Sequence, residues 1–159
     1  GTGTGAIAIA LSKELNLPVY ASDISPKAIE VARKNVEKTD SKVSLLLGDM
    51  LKPYIDKNIK VDILVSNPPY IREDEKIEKI VKDNEPEIAL YAPNNGLFYY
   101  EEILKNASKV LNDKFLIAFE IGEKQAFDVE KLAHKYLKDV KVEIKKDLSD
   151  KNRFVFVYN

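Results

Sequence analysis

Asn67-Pro68-Pro69-Tyr70 is the stretch of this chain best equipped to do chemistry. Two consecutive prolines fix two φ angles and remove two backbone donors, leaving a stiff loop that offers carbonyl oxygens without competing N–H groups. Asn67 adds a side-chain carbonyl and Tyr70 a flat aromatic face. A planar NH2 group needs two acceptors for its two hydrogens and can lay its plane against a ring, so the loop suits such a group. The plainer alternative is a Pro-Pro pair that only ends a strand.

A second feature stands at the start, where Gly1-Thr2-Gly3-Thr4-Gly5 holds three of the six glycines. A turn of this composition lets a ligand approach the main chain, and the helix that follows presents free N–H groups to a carboxylate or phosphate. Gly1, Gly3 and Ala6 satisfy the Ala-ended dinucleotide fingerprint. Asp23 stands about 20 residues on, where a ribose-binding acid is expected. A strand-end carboxylate has two oxygens for a diol, yet Asp23 could equally hold a turn ahead of Ser25. Asp49, just after Gly48, fits an adenine contact or a turn.

Alternating elements must position these groups. Ile7, Ala10, Leu11 and Leu15 recur at helical spacing, which predicts a helix from Ala6 to about Leu15. Val19 to Ser22 reads as a short strand ending at Asp23. Ser25-Pro26 reads as a cap and first-turn proline for a helix with Ala28, Ile29, Ala32 and Val36 on its apolar face, ending near Lys38. Val43–Leu47 and Val61–Val65 are apolar runs expected as buried strands. Helices are expected over Glu73–Lys82, Gly96–Leu111 and Glu123–Leu137. Strands are expected at Phe115–Ile121, Val140–Ile144 and Phe154–Tyr158, the last two pairing as an antiparallel hairpin.

This alternation implies an α/β fold, a largely parallel sheet with helices on both faces, in which ligands sit beyond the carboxyl ends of the strands. Asp23, Asn67 and Glu120 close three strands, Asp49 follows a fourth, and all four would share one edge with the glycine turn.

Composition narrows the chemistry. The 159 residues have the length of one domain, and 45% are hydrophobic, enough for a core. Lys and Arg number 25 against 26 Asp and Glu, and only Arg33, Arg72 and Arg153 are arginines, which disfavours nucleic acid as a partner. There is no Cys and one His, so disulfides, Cys-based zinc sites and thiolate catalysis are excluded. No metal site is expected. His134, among Lys131, Lys135 and Lys138, reads as a solvated surface residue. No apolar run of ~18 residues and no leader pattern is seen, so a cytoplasmic location without membrane attachment is expected.

Together these segments resemble a known family. The glycine turn, the strand-end Asp and Asn-Pro-Pro-Tyr after a strand look like the amino-methylating branch of the class I S-adenosylmethionine-dependent methyltransferases, a Rossmann-like fold. Ser66-Asn67-Pro68-Pro69-Tyr70-Ile71, Glu85-Pro86-Glu87-Ile88-Ala89-Leu90, Asn95-Gly96-Leu97 and Glu120-Ile121-Gly122-Glu123-Lys124-Gln125 resemble, more narrowly, the HemK/PrmC group. Its members methylate the glutamine side-chain amide in the Gly-Gly-Gln loop of peptide-chain release factors.

The resemblance implies that Gly1, Thr2, Gly3 and Gly5 line the methionine part of S-adenosylmethionine. Asp23 would take the ribose and Asp49 the adenine region, and Ile24, Met50 and Asn67 would also touch the cofactor. Asn67, Pro68, Pro69 and Tyr70 would bind the substrate amide, with Asn67, Pro68 and Tyr70 acting in catalysis. Glu85 and Glu120 receive no role. The family has a strand before its glycine turn and an N-terminal helical domain. The chain is therefore expected to be a catalytic domain, residues 1–159, lacking both and poorly stable alone. Ala92-Pro93-Asn94-Asn95 replaces a glycine-rich pair of the family, which leaves that loop's conformation open. Three rival readings remain: a DNA adenine or ribosomal RNA amino-group methyltransferase, a nicotinamide-dependent oxidoreductase, and an inactive fragment.

Overall fold

The computed structural model describes residues 1–72 and 90–159. The chain forms two compact units, Gly1–Ile59 and Lys60–Asn159.

The first unit runs α1 (Ala6–Leu15), β1 (Val19–Asp23), α2 (Pro26–Thr39), β2 (Val43–Leu47) and α3 (Lys52–Asp56). Strands β1 and β2 pair in parallel, from Val19 opposite Val43 to Asp23 opposite Leu47, with α2 as the crossover. Helix α2 starts where its sequence says it should: the Ser25 hydroxyl accepts from the Ala28 amide and Pro26 occupies the first turn. It ends at Asp40, whose left-handed backbone (φ 49) turns the chain away. Ile29 and Ala32 are its buried residues.

The second unit runs β3 (Val61–Ser66), α4 (Pro93–Gly96), α5 (Phe98–Ala107), β4 (Leu111–Glu120), α6 (Ala126–Tyr136), β5 (Lys141–Lys146) and β6 (Asn152–Tyr158). Its sheet has the order β3-β4-β6-β5. β3 and β4 are parallel, whereas β6 runs antiparallel to both β4 and β5, so the expected closing hairpin is present. The core joins Tyr100, Ile103, Leu104 and Ala107 of α5 to Val129 and Ala133 of α6, over Ile117, Phe119, Val155 and Val157 of the strands. The Tyr100 and Phe119 rings meet edge to face at 5.3 Å. Burial of each such large apolar side chain contributes roughly 1.5–3 kcal/mol.

Several expectations are corrected. Strands β2 and β3 contain no fully buried residue, and Leu47, Ile63 and Val65 are exposed. β2 belongs to a two-stranded sheet and β3 lies at a sheet edge, so each has a strand neighbour on one side only. The helix expected over Gly96–Leu111 is two pieces. Gly96 (φ 80) breaks it at the front, and Leu111 is taken by the β3 ladder opposite Val61. Strand β4 therefore begins four residues before the expected Phe115. Its polar Asn112-Asp113-Lys114 stretch accompanies a register shift, and Asn112 Nδ2 donates to Asp62 Oδ1 at 2.8 Å. Helix α6 starts at Ala126, not Glu123, because the preceding residues form a tight turn with the Gln125 amide donating to the Gly122 carbonyl at 3.0 Å. The Glu73–Lys82 helix and the Glu85 to Ala89 segment lie outside the described residues. Among the described residues, no helix is long and apolar enough to cross a membrane.

Candidate functional site

In the first unit, the end of β1 gathers the predicted cofactor residues. The Gly1 and Thr2 nitrogens donate to the Ser22 carbonyl, both at 2.8 Å. The Gly3 amide donates to Asp23 Oδ2 at 2.8 Å and the Ser25 amide to Asp23 Oδ1 at 2.9 Å. The Asp23 carbonyl accepts from the Gly48 amide at 2.9 Å, and the Ser22 hydroxyl donates to the Met50 carbonyl at 3.1 Å. One strand end thus holds the glycine turn on one side and the Gly48-Asp49-Met50 turn on the other. Burial pushes the Tyr54 phenol up, while its hydrogen bond with Ser22 pulls the other way.

Asp23 is buried and serves the turn, as the plainer of its two readings expected. A carboxylate offers about four lone-pair sites, so two bonded amides leave acceptor capacity for a diol. Ile24 and Asp49 are exposed beside it, Met50 is half-buried with a left-handed backbone (φ 41), and Gly5 is buried. Gly5 (φ 81) approaches α2 so closely that a Cβ there would meet Ala32 Cβ at 3.3 Å. Gly1 and Gly3 are different: nothing lies within 4 Å of where a side chain would stand. An open glycine main chain at the start of α1, beside a carboxylate, fits a ligand that joins a charged amino acid to a ribose.

In the second unit, Asn67-Pro68-Pro69-Tyr70 leaves the carboxyl end of β3. Asn67 is exposed, Pro68 buried, and Pro69 and Tyr70 half-buried. Ile71 then pairs with Tyr91 in an isolated parallel bridge: the Ile71 amide donates to the Leu90 carbonyl at 3.0 Å and the Ala92 amide to the Ile71 carbonyl at 2.9 Å. The loop conformation left open by the sequence is resolved next door, where Asn94 and Asn95 both adopt φ 55 and Gly96 φ 80. Asn tolerates the left-handed region better than other side chains, so the two asparagines do what glycine would do.

Sequence reasoning missed three residues around this loop. Gln125 reaches it through Nε2, which donates to the Tyr70 carbonyl at 3.0 Å. Tyr100 is fully buried, and its hydroxyl donates to the Glu120 carbonyl at 2.7 Å. Burial, with Tyr70 and Glu120 nearby, pushes its phenol far above the ordinary range. Arg153 donates through Nε to Asp147 Oδ2 (3.0 Å) and through Nη1 to the Ile121 carbonyl (3.1 Å), fixing the strand end that leads to Gly122. The segment Glu120 to Gln125 was the available signal, but sequence alone gave its polar groups no partner. His134 is exposed, as expected, and among the described residues no cluster of three His, Asp or Glu could hold a metal.

The family description "Methyltransferase small domain" matches residues 1–129. A curated relative from Bacillus anthracis, named release factor glutamine methyltransferase, is 40% identical over 159 residues, covering 98% of this chain and 56% of that protein. The chain therefore spans about half of that relative's length. Among solved structures, a methyltransferase from Pyrococcus furiosus superposes with a TM-score of 0.73 at 21% identity, covering 99% of this chain and 71% of the other. A Streptococcus mutans methyltransferase in complex with SAH gives 0.65 at 18% identity, covering 99% of this chain and 84% of the other. At these identities the structural likeness establishes the fold, the Rossmann-like α/β arrangement with antiparallel closing strands.

Proposed function

The chain belongs to the methyltransferase small domain family, and from that premise we propose that it carries the catalytic part of a protein-glutamine methyltransferase. The methyl donor is S-adenosylmethionine, and the acceptor is the side-chain amide nitrogen of the glutamine in the Gly-Gly-Gln loop of a peptide-chain release factor. The name of the Bacillus anthracis relative supports this acceptor. The observation that carries the reading is the diproline loop: a rigid main chain with an exposed Asn67 at its head, suited to two-point acceptance from an NH2 group.

The first unit binds the donor. Gly1, Thr2, Gly3 and Gly5 receive its amino-acid end, Asp23 and Ile24 its ribose, and Asp49 and Met50 its adenine. S-adenosylmethionine supplies an electrophilic methyl on a sulfonium. The second unit binds the acceptor through Asn67, the Pro68 carbonyl, Pro69 and the Tyr70 ring.

An amide nitrogen is a poor nucleophile because its lone pair is delocalised into its carbonyl. Two hydrogen bonds from its N–H groups, to the Asn67 side-chain oxygen and the Pro68 carbonyl, favour charge building on nitrogen and fix its direction of attack. The methyl would come from the sulfonium of S-adenosylmethionine, which would become a neutral thioether, and the acceptor nitrogen, held by Asn67 and the Pro68 carbonyl, would lose its proton to water. Orientation of this kind contributes ~7–11 kcal/mol in favourable cases.

The test is acceptor choice by the complete protein. With methyl-labelled S-adenosylmethionine, label is expected on release factor at the glutamine and absent when that glutamine is replaced by alanine. Label on DNA or ribosomal RNA instead would assign the rival methyltransferase reading.

A further inference from the structure

We infer that Gln125 is a positioning residue for the acceptor loop, a role that rests on the methyl-transfer reading above. Gln125 opens α6, yet its side chain makes no capping bond to that helix. It turns instead to three other segments. Nε2 donates to the Tyr70 carbonyl at 3.0 Å and more weakly to the Asn95 carbonyl at 3.4 Å, while Oε1 accepts from the Gly122 amide at 2.9 Å.

The need for such a tie follows from the diproline chemistry. Pro68 and Pro69 have no N–H, so two of the loop's backbone donors are missing, and a side chain that holds a loop carbonyl from outside adds a tie the prolines cannot make. A neutral amide is the side chain that offers a donor and an acceptor from one plane, and both are used. The surroundings leave room for it. A Cβ on Gly96 would fall on the Tyr70 carbonyl oxygen, and one on Gly122 would stand 2.9 Å from Gln125 Oε1 and 3.3 Å from Tyr70 Cδ2. Two glycines and one glutamine thus fix where the Tyr70 carbonyl sits, three residues beyond Asn67.

Gln125→Glu separates this role from bulk. A carboxylate keeps the acceptor for Gly122 but sets oxygen against oxygen at Tyr70, while Gln125→Ala removes all three bonds. In the complete enzyme each variant is expected to lower kcat about tenfold or more, with Gln125→Glu affected at least as much as alanine. The S-adenosylmethionine Kd is expected to stay within about twofold. Amide hydrogen exchange is expected to speed up about tenfold at Gly122 and Ile71 and to stay unchanged in residues 1–59.

Wild-type kcat in Gln125→Glu, or unchanged exchange at Gly122 and Ile71 in both variants, would overturn the inference. So would a loss of donor affinity matching the loss of kcat. Faster loop exchange in the variants of a wild-type protein that methylates no release factor would support the tie and sink the methyl-transfer reading instead.

Discussion

The Gly3 amide hydrogen-bonds Asp23 Oδ2 at 2.8 Å across 20 residues of sequence, so the carboxylate expected to meet a ribose also holds the turn expected to meet the methionine. The other oxygen holds Ser25, which caps α2. Replacing Asp23 therefore disturbs three things through one side chain. Asp23→Ala is expected to cost roughly 1–3 kcal/mol of stability, because two amides lose their acceptor in a buried setting. It is also expected to weaken S-adenosylmethionine binding at least tenfold. Urea unfolding and calorimetry check the two effects, and a variant that loses neither would show that water replaces the carboxylate at both amides.

Gly96 carries a different constraint, from shape and not charge. Its φ of 80 strains any L side chain, and an added methyl group would overlap the Tyr70 carbonyl. Gly96→Ala is expected to destabilise the protein by ~2 kcal/mol or more, whereas Asn95→Gly, at φ 55, is expected to change stability by less than ~1 kcal/mol. Denaturant midpoints of the two variants measure the contrast.

Four of the five elements of the first unit were legible because each carried its own punctuation: the glycine turn before α1, the Ser25-Pro26 start of α2, and the β1 and β2 apolar runs all fall where the sequence puts them, whereas the short α3 was not expected. The errors gather where tertiary contacts decide. Leu111, expected as the end of a helix, is claimed by Val61 in the ladder, and Gly96, expected at the start of that helix, takes a left-handed conformation that interrupts it. The site was legible as residue types at strand ends. Its supports were not, because Gln125, Tyr100 and Arg153 act through main-chain carbonyls at Tyr70, Glu120 and Ile121, which carry no signature in side-chain identity.

The hairpin turn after β5 gives a pH prediction. The Lys151 amide foremost holds the Asp147 carboxyl below its ordinary range; burial opposes it, and the Arg153 guanidinium and the Ser149 amide add to the lowering. A depressed folded-state pKa adds stability that is fully present above the unfolded value of ~3.9 and disappears as pH falls through the lower folded value. Wild type is therefore expected to exceed Asp147→Asn in stability at about pH 6, with the gap closing toward about pH 2. Paired urea melts across that range measure it, and a gap independent of pH would contradict the assignment.

Most direct is the effect of Asn67→Ala on the complete enzyme, measured as turnover on release factor beside the Kd for S-adenosylmethionine. Losing one positioned polar contact to the reacting group typically costs ~3–4 kcal/mol in the barrier. Turnover is expected to fall by two or more orders of magnitude, with donor affinity within a few fold of wild type. Equal losses of turnover and donor affinity, or turnover left intact, would contradict it.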